Sequence, residues 1–174
     1  MMISFIRWEG RMARAGLSTD PEARMGIYKR LHEVPDRYRL EQYASSYRNR
    51  DVWAEWLTAR QNEDGELSTY LQRRLDITER SWKEHMKSRG RHHALAGPDD
   101  VETWVEAFVD GTWQLRTIYE GYWVHVAQFY HWLRFHTDHP HAYDPVLMAA
   151  ADSGASSRVW ACKVERWEGR DDTE

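Results

Sequence analysis

Six basic side chains lie in and just after one predicted helix at a spacing that suits contact with phosphates. Four fall on one arc of the helical wheel, and two more extend that arc around the end of the helix: Arg73, Arg80, Lys83, Lys87, Arg89 and Arg91. Such a row of cations can straddle the phosphates of a nucleic acid. Arg116 and Arg158, each beside a predicted helix end, are secondary phosphate candidates. The pattern predicts a DNA-binding face, but base readout is assigned to no residue, because arginine serves phosphates and base edges alike.

Acidic residues on the same helix leave a second interpretation open. Asp76 and Glu84 lie on or beside the basic arc, so ion pairs between residues four apart on an ordinary solvated face explain the charges too. The whole chain has a formal net charge of -4, which provides no general attraction for DNA. Any nucleic-acid contact therefore has to come from a local patch.

The histidines invite a metal-binding interpretation, because neutral imidazole is a common zinc ligand. Several lie in the second half of the chain: His92, His93, His125, His131, His136, His139 and His141. His125, His131 and His136 are six and five residues apart along one predicted helix, so neighbours do not share a helix face. No His-Glu-x-x-His motif occurs. The sequence therefore predicts no metal and no cofactor, and structural histidines are the alternative.

No other constellation suggests catalysis or export. No Ser/Cys–His pairing, Gly-rich phosphate loop or spaced carboxylate pair stands out. Cys162 is the single cysteine, which excludes an internal disulfide and a thiolate zinc site within one chain and fits a reducing cytoplasm. Residues 1–6 are apolar but are followed by Arg7, Glu9 and Arg11, too early for a signal peptide or a membrane span. We expect a cytoplasmic protein that is not an enzyme and does not bind membranes.

Helices must position these side chains, since no strand-type alternation extends beyond a few residues. Hydrophobic residues make up 41% of the 174 residues and aromatic residues 13%, enough to build a core. Residues 18–22 have the chemistry of a helix start, with Pro21 in the first turn, and predict a helix to about His32. A second helical stretch is predicted from Asp36, and residues 62–65 close it. These elements form a predicted N-terminal extension over residues 1–65.

Helices A and B follow with cleaner patterns. Helix A is predicted from Ser68 to Gly90, and helix B from Pro98 to Gly111. One side of helix A is apolar: Leu71, Leu75, Trp82 and Met86. The basic arc lies away from that side, so we expect it to face solvent.

Helices C and D complete the predicted all-α fold. Helix C starts at a capping box formed by Thr117 and Glu120 and runs to about His136 with a wide apolar stripe. Helix D starts at Asp144, is followed by Pro145, and is broken by residues 153–157. Residues 161–174 are predicted to be a flexible acidic tail.

The order of these features resembles the SAM-like core-binding domain of tyrosine recombinases and phage integrases. Its most specific part is a Thr-x-Tyr start leading into an aromatic-rich helix and an x-Pro turn. The matching positions are Thr69, Trp82, Met86, Gly90, Asp99, Val101, Trp104, Thr117, Tyr119, Phe129, Tyr130, Trp132, Leu133, Pro145 and Val146. Asp144 stands where the family usually has Asn. The resemblance covers roughly residues 66–160 and implies a four-helix bundle that grips DNA.

In the family, a separate catalytic domain holds the opposite face of the duplex and carries the catalytic residues. The resemblance implies a chain that has the binding domain without that catalytic domain. His131 and Arg134 spell the family's His-x-x-Arg motif, but they fall inside helix C of the binding domain. We therefore expect no catalytic role for them.

The resemblance implies a non-catalytic protein that binds double-stranded DNA. We expect an accessory or regulatory factor in site-specific recombination of a mobile element, acting as a homodimer or with a recombinase partner. The alternative is a helical protein-interaction or dimerisation module that has lost DNA binding and uses Trp53, Trp56 or the tail. Trp160 and Trp167, outside clear helices, would suit such a contact. The other tryptophans considered lie on apolar stripes and are predicted core: Trp82, Trp104, Trp123 and Trp132.

Overall fold

The computed structural model describes residues 18–171, and these residues contain seven α-helices. They are α1 (Ala44–Tyr47), α2 (Val52–Asp64), α3 (Thr69–Ser88), α4 (Pro98–Asp110), α5 (Leu115–Ile118, Tyr119–Trp123 and Val124–Phe135 in continuous succession), α6 (Pro145–Ala151) and α7 (Ala155–Asp171). No strand occurs between residues 18 and 171, which confirms the all-α class. The prediction for residues 1–6 lies outside the described residues.

The N-terminal segment differs most from the sequence-based prediction. The helix predicted to reach His32 is wrong, because residues 18–33 form only two short 3-10 turns, Pro21–Arg24 and Leu31–Glu33. The local start is as expected, since the Asp20 carboxylate accepts a hydrogen bond from the amide of Glu22 at 3.0 Å. Gly26 then takes a φ of +86°, which ends the right-handed turn. The Arg134 guanidinium lies against Gly26, so a larger residue there would have to displace it as well as adopt a strained φ.

The second predicted stretch is also interrupted. Two more 3-10 turns precede α1: Asp36–Tyr38 and Leu40–Tyr43. Asn49, with a φ of +62°, interrupts the helical conformation between α1 and α2. The Asp51 carboxylate then caps α2 by accepting a hydrogen bond from the amide of Ala54 at 3.1 Å. Gly65, with a φ of +83°, ends α2 as predicted.

Helices α3 and α4 confirm the predicted helices A and B. The Ser68 hydroxyl caps α3 by accepting a hydrogen bond from the amide of Leu71 at 3.2 Å, and Gly90 follows its end with a φ of +70°. Pro98 opens α4, and Gly111 follows its last residue. The buried side of α3 consists of Leu75, Thr78, Trp82 and Met86, whereas Leu71 is only half-buried.

Helix α5 corresponds to the predicted helix C, but its start differs. The helix begins at Leu115, and Gln114 at the cap position makes no side-chain capping bond. The predicted capping box of Thr117 and Glu120 is therefore wrong, because Thr117 already lies inside the first turn. The carboxylate of Glu120 instead accepts a hydrogen bond from Arg116, one turn earlier.

The second segment of α5 is π-helical, a geometry that the sequence did not predict. Gly121 is buried in this segment, and its carbonyl accepts a hydrogen bond from the Thr78 hydroxyl of α3 at 2.9 Å. The Arg74 guanidinium of α3 occupies the space that a β-carbon on Gly121 would need, so a larger residue there would have to displace it. Single π-helical turns inside α-helices are uncommon. At this turn, the backbone of α5 contacts side chains of α3.

Helices α6 and α7 follow one another closely. As predicted, α6 starts at Asp144, whose carboxylate accepts hydrogen bonds from the amides of Val146 at 3.0 Å and Leu147 at 3.1 Å. The Glu102 carboxylate of α4 caps α7, accepting hydrogen bonds from the amides of Ala155 and Ser156. An acidic group at this position also suits the positive end of the helix dipole.

The flexible tail predicted from residue 161 is wrong for residues 161–171, because α7 extends through Asp171. Val159 and Trp160 bury their side chains in the core, which anchors the helix. The Trp160 indole donates a hydrogen bond to the carbonyl of Thr19 at 2.7 Å and packs against Trp123 with ring centroids 6.1 Å apart. Trp160 is therefore a core residue, and Trp167 also lies within α7.

The predicted extension and the predicted bundle share one hydrophobic core. Buried residues before position 66 belong to the same cluster as those of α3 to α7: Met25, Val34, Leu40, Tyr47, Val52, Trp53 and Trp56. The Trp53 ring packs against Phe129 of α5 with centroids 4.9 Å apart. Among the described residues, no helix is both long enough and apolar enough to cross a bilayer.

Two buried histidines in this core differ in whether their ring nitrogens have hydrogen-bond partners. His93 accepts a hydrogen bond through Nε2 from the amide of Trp53 at 3.2 Å. His125 of α5 buries both ring nitrogens without a hydrogen-bond partner among the described residues. Burial, with smaller contributions from the Arg60 and Arg74 charges, lowers the pKa of His125 to about 4. Imidazole at this position is neutral and unpaired, which costs free energy.

Replacing each histidine by Phe should therefore move stability in opposite directions. His125→Phe removes an unpaired polar ring and is expected to raise the free energy of unfolding by about 1 kcal/mol. His93→Phe leaves the buried amide of Trp53 without an acceptor and is expected to lower it by about 1–3 kcal/mol. Urea denaturation followed by circular dichroism measures both, and equal losses in the two variants would contradict the assignment.

Candidate nucleic-acid interface

The outer face of α3 carries a regular row of exposed side chains. Successive members are alternately three and four residues apart: Tyr70, Arg73, Ile77, Arg80, Glu84 and Lys87. We call these six residues the outer row. They cover about 25 Å of helix at 1.5 Å per residue. Because the opposite side of α3 is buried, the helix presents the outer row to solvent in a fixed orientation.

Three predicted DNA contacts belong to the outer row and have no carboxylate partner. Arg73, Arg80 and Lys87 are exposed, and none forms an ion pair with another residue in the described range 18–171. Glu84 belongs to the same row, and Asp76 is exposed beside it. The face thus offers three cations to an anionic partner, with two carboxylates that reduce the local potential.

Lys83 does not belong to this exposed set, although the sequence placed it on the basic arc. Its ammonium is 2.9 Å from the Asp51 carboxylate of α2 and 2.6 Å from the Glu79 carboxylate. Burial favours the neutral form of Lys83, but hydrogen bonds to Glu79 and Asp51 outweigh it and raise its pKa. Lys83 therefore links α2 to α3.

Arg89 and Arg91 also serve the fold, because both hold the start of α4. The Asp100 carboxylate is fully buried and accepts hydrogen bonds from both guanidinium groups, at 2.7 Å from Arg91. It also accepts a hydrogen bond from the amide of Gly97 at 2.8 Å. Arg89 is 2.8 Å from Asp99 as well. The hydrogen bond to Asp100 is the main cause that raises the pKa of Arg89.

The two secondary phosphate candidates, Arg116 and Arg158, lie on other helices than the outer row. Arg116 is exposed at the start of α5 and contacts Glu120 at 3.4 Å. Arg158 is exposed near the start of α7 and lines an open depression of about 510 Å³ with Glu106, Asp110 and Ser157. Two of its lining groups are acidic, which weakens this region as a phosphate contact.

The His-x-x-Arg motif lies within α5, as predicted. His131 is exposed, and its ring packs against Phe135 with centroids 4.8 Å apart. Arg134 donates a hydrogen bond to the carbonyl of Arg24 at 3.4 Å and lies against Gly26. Arg134 thus helps to hold the N-terminal segment against α5.

An aromatic groove beside the outer row was not predicted from the sequence. It has a volume of about 520 Å³ and is lined by Ile77, Trp104, Phe108, Trp113 and Tyr122, with Arg80, Glu84 and His85 at its polar edge. Trp113 is 43% exposed, and its ring lies 5.3 Å from Phe108 and 5.5 Å from Tyr122 between centroids. The only local signal was an aromatic residue shortly after the Gly111 helix stop.

A second unpredicted feature is a cluster of histidine rings around Tyr47 of α1. The Tyr47 ring centroid lies 5.5 Å from His92, 5.9 Å from His139 and 6.3 Å from His141. The Tyr47 hydroxyl and His139 Nδ1 are 2.7 Å apart. The cluster joins segments that are far apart in sequence, which is why spacing rules could not find it.

Burial favours the neutral form of each histidine in this cluster and lowers its pKa, whereas the hydrogen bonds of His92 and His141 to backbone carbonyls act in the opposite direction. His92 accepts from the amide of Ala94 at 3.1 Å, and its Nε2 lies 2.8 Å from the carbonyl of Arg50. His141 Nε2 lies 2.6 Å from the carbonyl of Ala94. Burial lowers the pKa of His141 to about 4. Across residues 18–171, no three His, Cys, Asp or Glu side chains are arranged to hold a metal ion.

Comparisons with known proteins do not place this chain in a family. No protein-family model matches it. Neither the curated proteins nor the solved structures contain a match.

The division of the arginines into structural and exposed groups predicts different effects on stability. The double variant R89A/R91A should lower the free energy of unfolding by about 3–5 kcal/mol, because it leaves the buried Asp100 carboxylate without a cation. The double variant R73A/R80A should change it by no more than about 0.5 kcal/mol, because both side chains are exposed. Urea denaturation measures both values. Similar losses in the two variants would show that the division is wrong.

The buried histidines predict loss of stability in mild acid. The pKa of His93 is lowered to about 3 and those of His125 and His141 to about 4, mainly by burial, whereas unfolded histidine titrates near 6.5. The unfolded chain therefore binds more protons below pH 6.5, and stability that is complete above this pH is lost as the pH falls towards 4. Between pH 7.5 and 5.5 the three rings should remove about 4 kcal/mol of unfolding free energy. His125→Phe should reduce this loss by about one third, and a flat stability profile would contradict the prediction.

Proposed function

We propose that this chain is a non-catalytic protein that binds double-stranded DNA through the outer row of α3. The observation that carries the proposal is the set of three exposed cations, Arg73, Arg80 and Lys87, none ion-paired to a described residue. They are seven residues apart, or about 10.5 Å along the helix axis, on a helix whose other side is buried. Evenly spaced cations on a rigid helix suit a phosphate backbone.

The number of available cations limits the strength of this binding. Lys83, Arg89 and Arg91 form ion pairs with carboxylates of the protein, so their charges are largely compensated within it. Three phosphate contacts predict a slope of log K against log salt of about -2.7. We therefore expect modest, strongly salt-dependent affinity for duplex DNA, with little sequence preference from these contacts.

The wider proposal follows the resemblance to the core-binding domain of tyrosine recombinases. The order of α3, α4, α5 and α6 agrees with the predicted helices A to D, which supports a SAM-like bundle as the framework. On this basis we assign the protein to site-specific recombination of a mobile element, as an accessory or regulatory DNA-binding factor of the cytoplasm. The alternative, a protein-interaction module, is favoured by one observation: Ile77 and Trp113 are exposed beside the same cations.

Removing two cations of the outer row tests the proposal. R73A/R80A should weaken binding to a 30-base-pair duplex roughly 10-fold at low salt and reduce the salt slope by about 2, because each lost phosphate contact releases about one counterion fewer. Fluorescence anisotropy at several salt concentrations measures both quantities.

The matched control removes two exposed arginines that precede α2. R37A/R48A changes the net charge of the chain by the same amount and should alter affinity by less than about 3-fold. Equal weakening in the two double variants would show that overall charge, and not the α3 face, governs binding. Failure of the natural sequence to bind any duplex at low salt would refute the proposed function.

A further inference from the structure

We infer that the outer row of α3 pairs in antiparallel fashion with the outer row of a second copy of this chain. The inference rests on the proposed function in one respect: the same cations would then serve both DNA and the second copy, so that self-association regulates DNA binding. The second copy is the occupant that the charge pattern of the row favours.

The spacing of the outer row is that of a helix-pairing seam. Its six members follow one another at intervals of three, four, three, four and three residues. This repeat averages 3.5 residues, the period that keeps one line of side chains facing a partner helix in a coiled coil. All six side chains are exposed, although Ile77, Arg80 and Glu84 also line the aromatic groove beside the row.

The row is complementary to itself only when the second helix runs in the opposite direction. With the two-fold axis between Thr78 and Glu79, Arg73 faces Glu84 of the second copy. Tyr70 then faces Lys87 of the second copy, a ring and a cation that attract each other. Ile77 faces the methylene stem of Arg80 of the second copy. A two-fold axis repeats each contact, so the interface contains two of every pair.

A parallel arrangement would not have this complementarity. It would place Arg73 against Arg73 and Glu84 against Glu84 of the second copy, like charges that repel. The charges of the row therefore determine direction as well as partner. At the centre of the antiparallel seam, Ile77 is 38% exposed, and Trp113 in the adjoining groove is 43% exposed, so pairing removes apolar surface from water there.

The composition of the row also sets the strength of the pairing. Each copy contributes three cations and one carboxylate to the row, so an excess of positive charge remains in the dimer. One pair of helices offers less contact than the roughly 1,200–2,000 Å² of a stable interface. We therefore expect a dissociation constant in the micromolar range or weaker, and competition from DNA, which neutralises the cations that the dimer leaves in excess.

Charge reversal at one pair tests the antiparallel register. E84R and R73E each replace an attractive pair by a repulsive one and should raise the dimer dissociation constant at least 10-fold in sedimentation equilibrium. The double variant R73E/E84R restores two opposite-charge pairs and should return the constant to within about 3-fold of that of the natural sequence. Both residues are exposed, so circular dichroism should show unchanged helix content.

A matched control separates the seam from overall charge. E63R makes the same change of net charge as E84R, on the exposed part of α2, and should leave the dimer unchanged. Single variants that behave like E63R, or a double variant without rescue, would overturn the inference. A natural sequence that stays monomeric at 0.5 mM would do the same.

DNA binding measured on the same variants distinguishes the two proposals. E84R adds a cation and removes the competing dimer, so it should bind duplex DNA several-fold more tightly, whereas R73E should bind less tightly. Duplex DNA added to the natural sequence should convert dimer into monomeric complex. Rescue of the dimer without any DNA binding would refute the proposed function and its regulation while supporting self-association. DNA binding by a protein that remains dimeric through this seam would refute the competition.

Discussion

The fold depends on the loop between α3 and α4, whose residues 93–97 are buried and whose backbone polar groups must find partners inside the protein. A buried backbone amide or carbonyl without a partner costs free energy comparable to a lost hydrogen bond. Partners come from distant parts of the chain: the carbonyl of His93 accepts hydrogen bonds from the Trp82 indole and the Tyr130 hydroxyl, both at 2.9 Å. The Tyr130 hydroxyl in turn accepts from the amide of Ala96 at 2.9 Å. One buried tyrosine thus joins the loop to α5.

The same requirement explains much of the polar chemistry inside the protein. His93 uses its ring to bind the start of α2, and His141 lies against the carbonyl of Ala94. Asp100 satisfies the amide of Gly97 and is neutralised by Arg89 and Arg91. A buried loop of this kind requires neutral histidines and a carboxylate that is paired with two cations, because an uncompensated charge there would cost free energy. The histidine cluster is accordingly an element of the fold.

How far the sequence predicted the structure depended on the range of the interaction involved. Ser68, Asp144 and Pro98 act on the next few residues, so the starts of α3, α6 and α4 could be predicted. The helix predicted after Pro21 failed because Gly26 takes a left-handed conformation, and Arg134, which lies far along the chain, packs against it. The tail failed because Trp160 is anchored to Thr19. Local chemistry therefore gave most helix starts, whereas packing over long distances decided where helices do not form or continue.

The candidate site divides in the same way. The exposure of Arg73, Arg80 and Lys87 followed from their position opposite the apolar side of one helix, and the structure shows them exposed. The ion pair of Lys83 with Asp51 could not be predicted, because Asp51 lies at the start of α2 and not on α3. Within the outer row the charged residues are Arg73, Arg80, Glu84 and Lys87, and Asp76 is exposed beside the row. Because one side of α3 is already folded against the core, a partner need not order this helix on binding, which lowers the entropy that association costs. A weakly cationic face whose outer row is complementary to itself can therefore bind either a polyanion or its own copy, and Glu84, the carboxylate within the row, favours the copy.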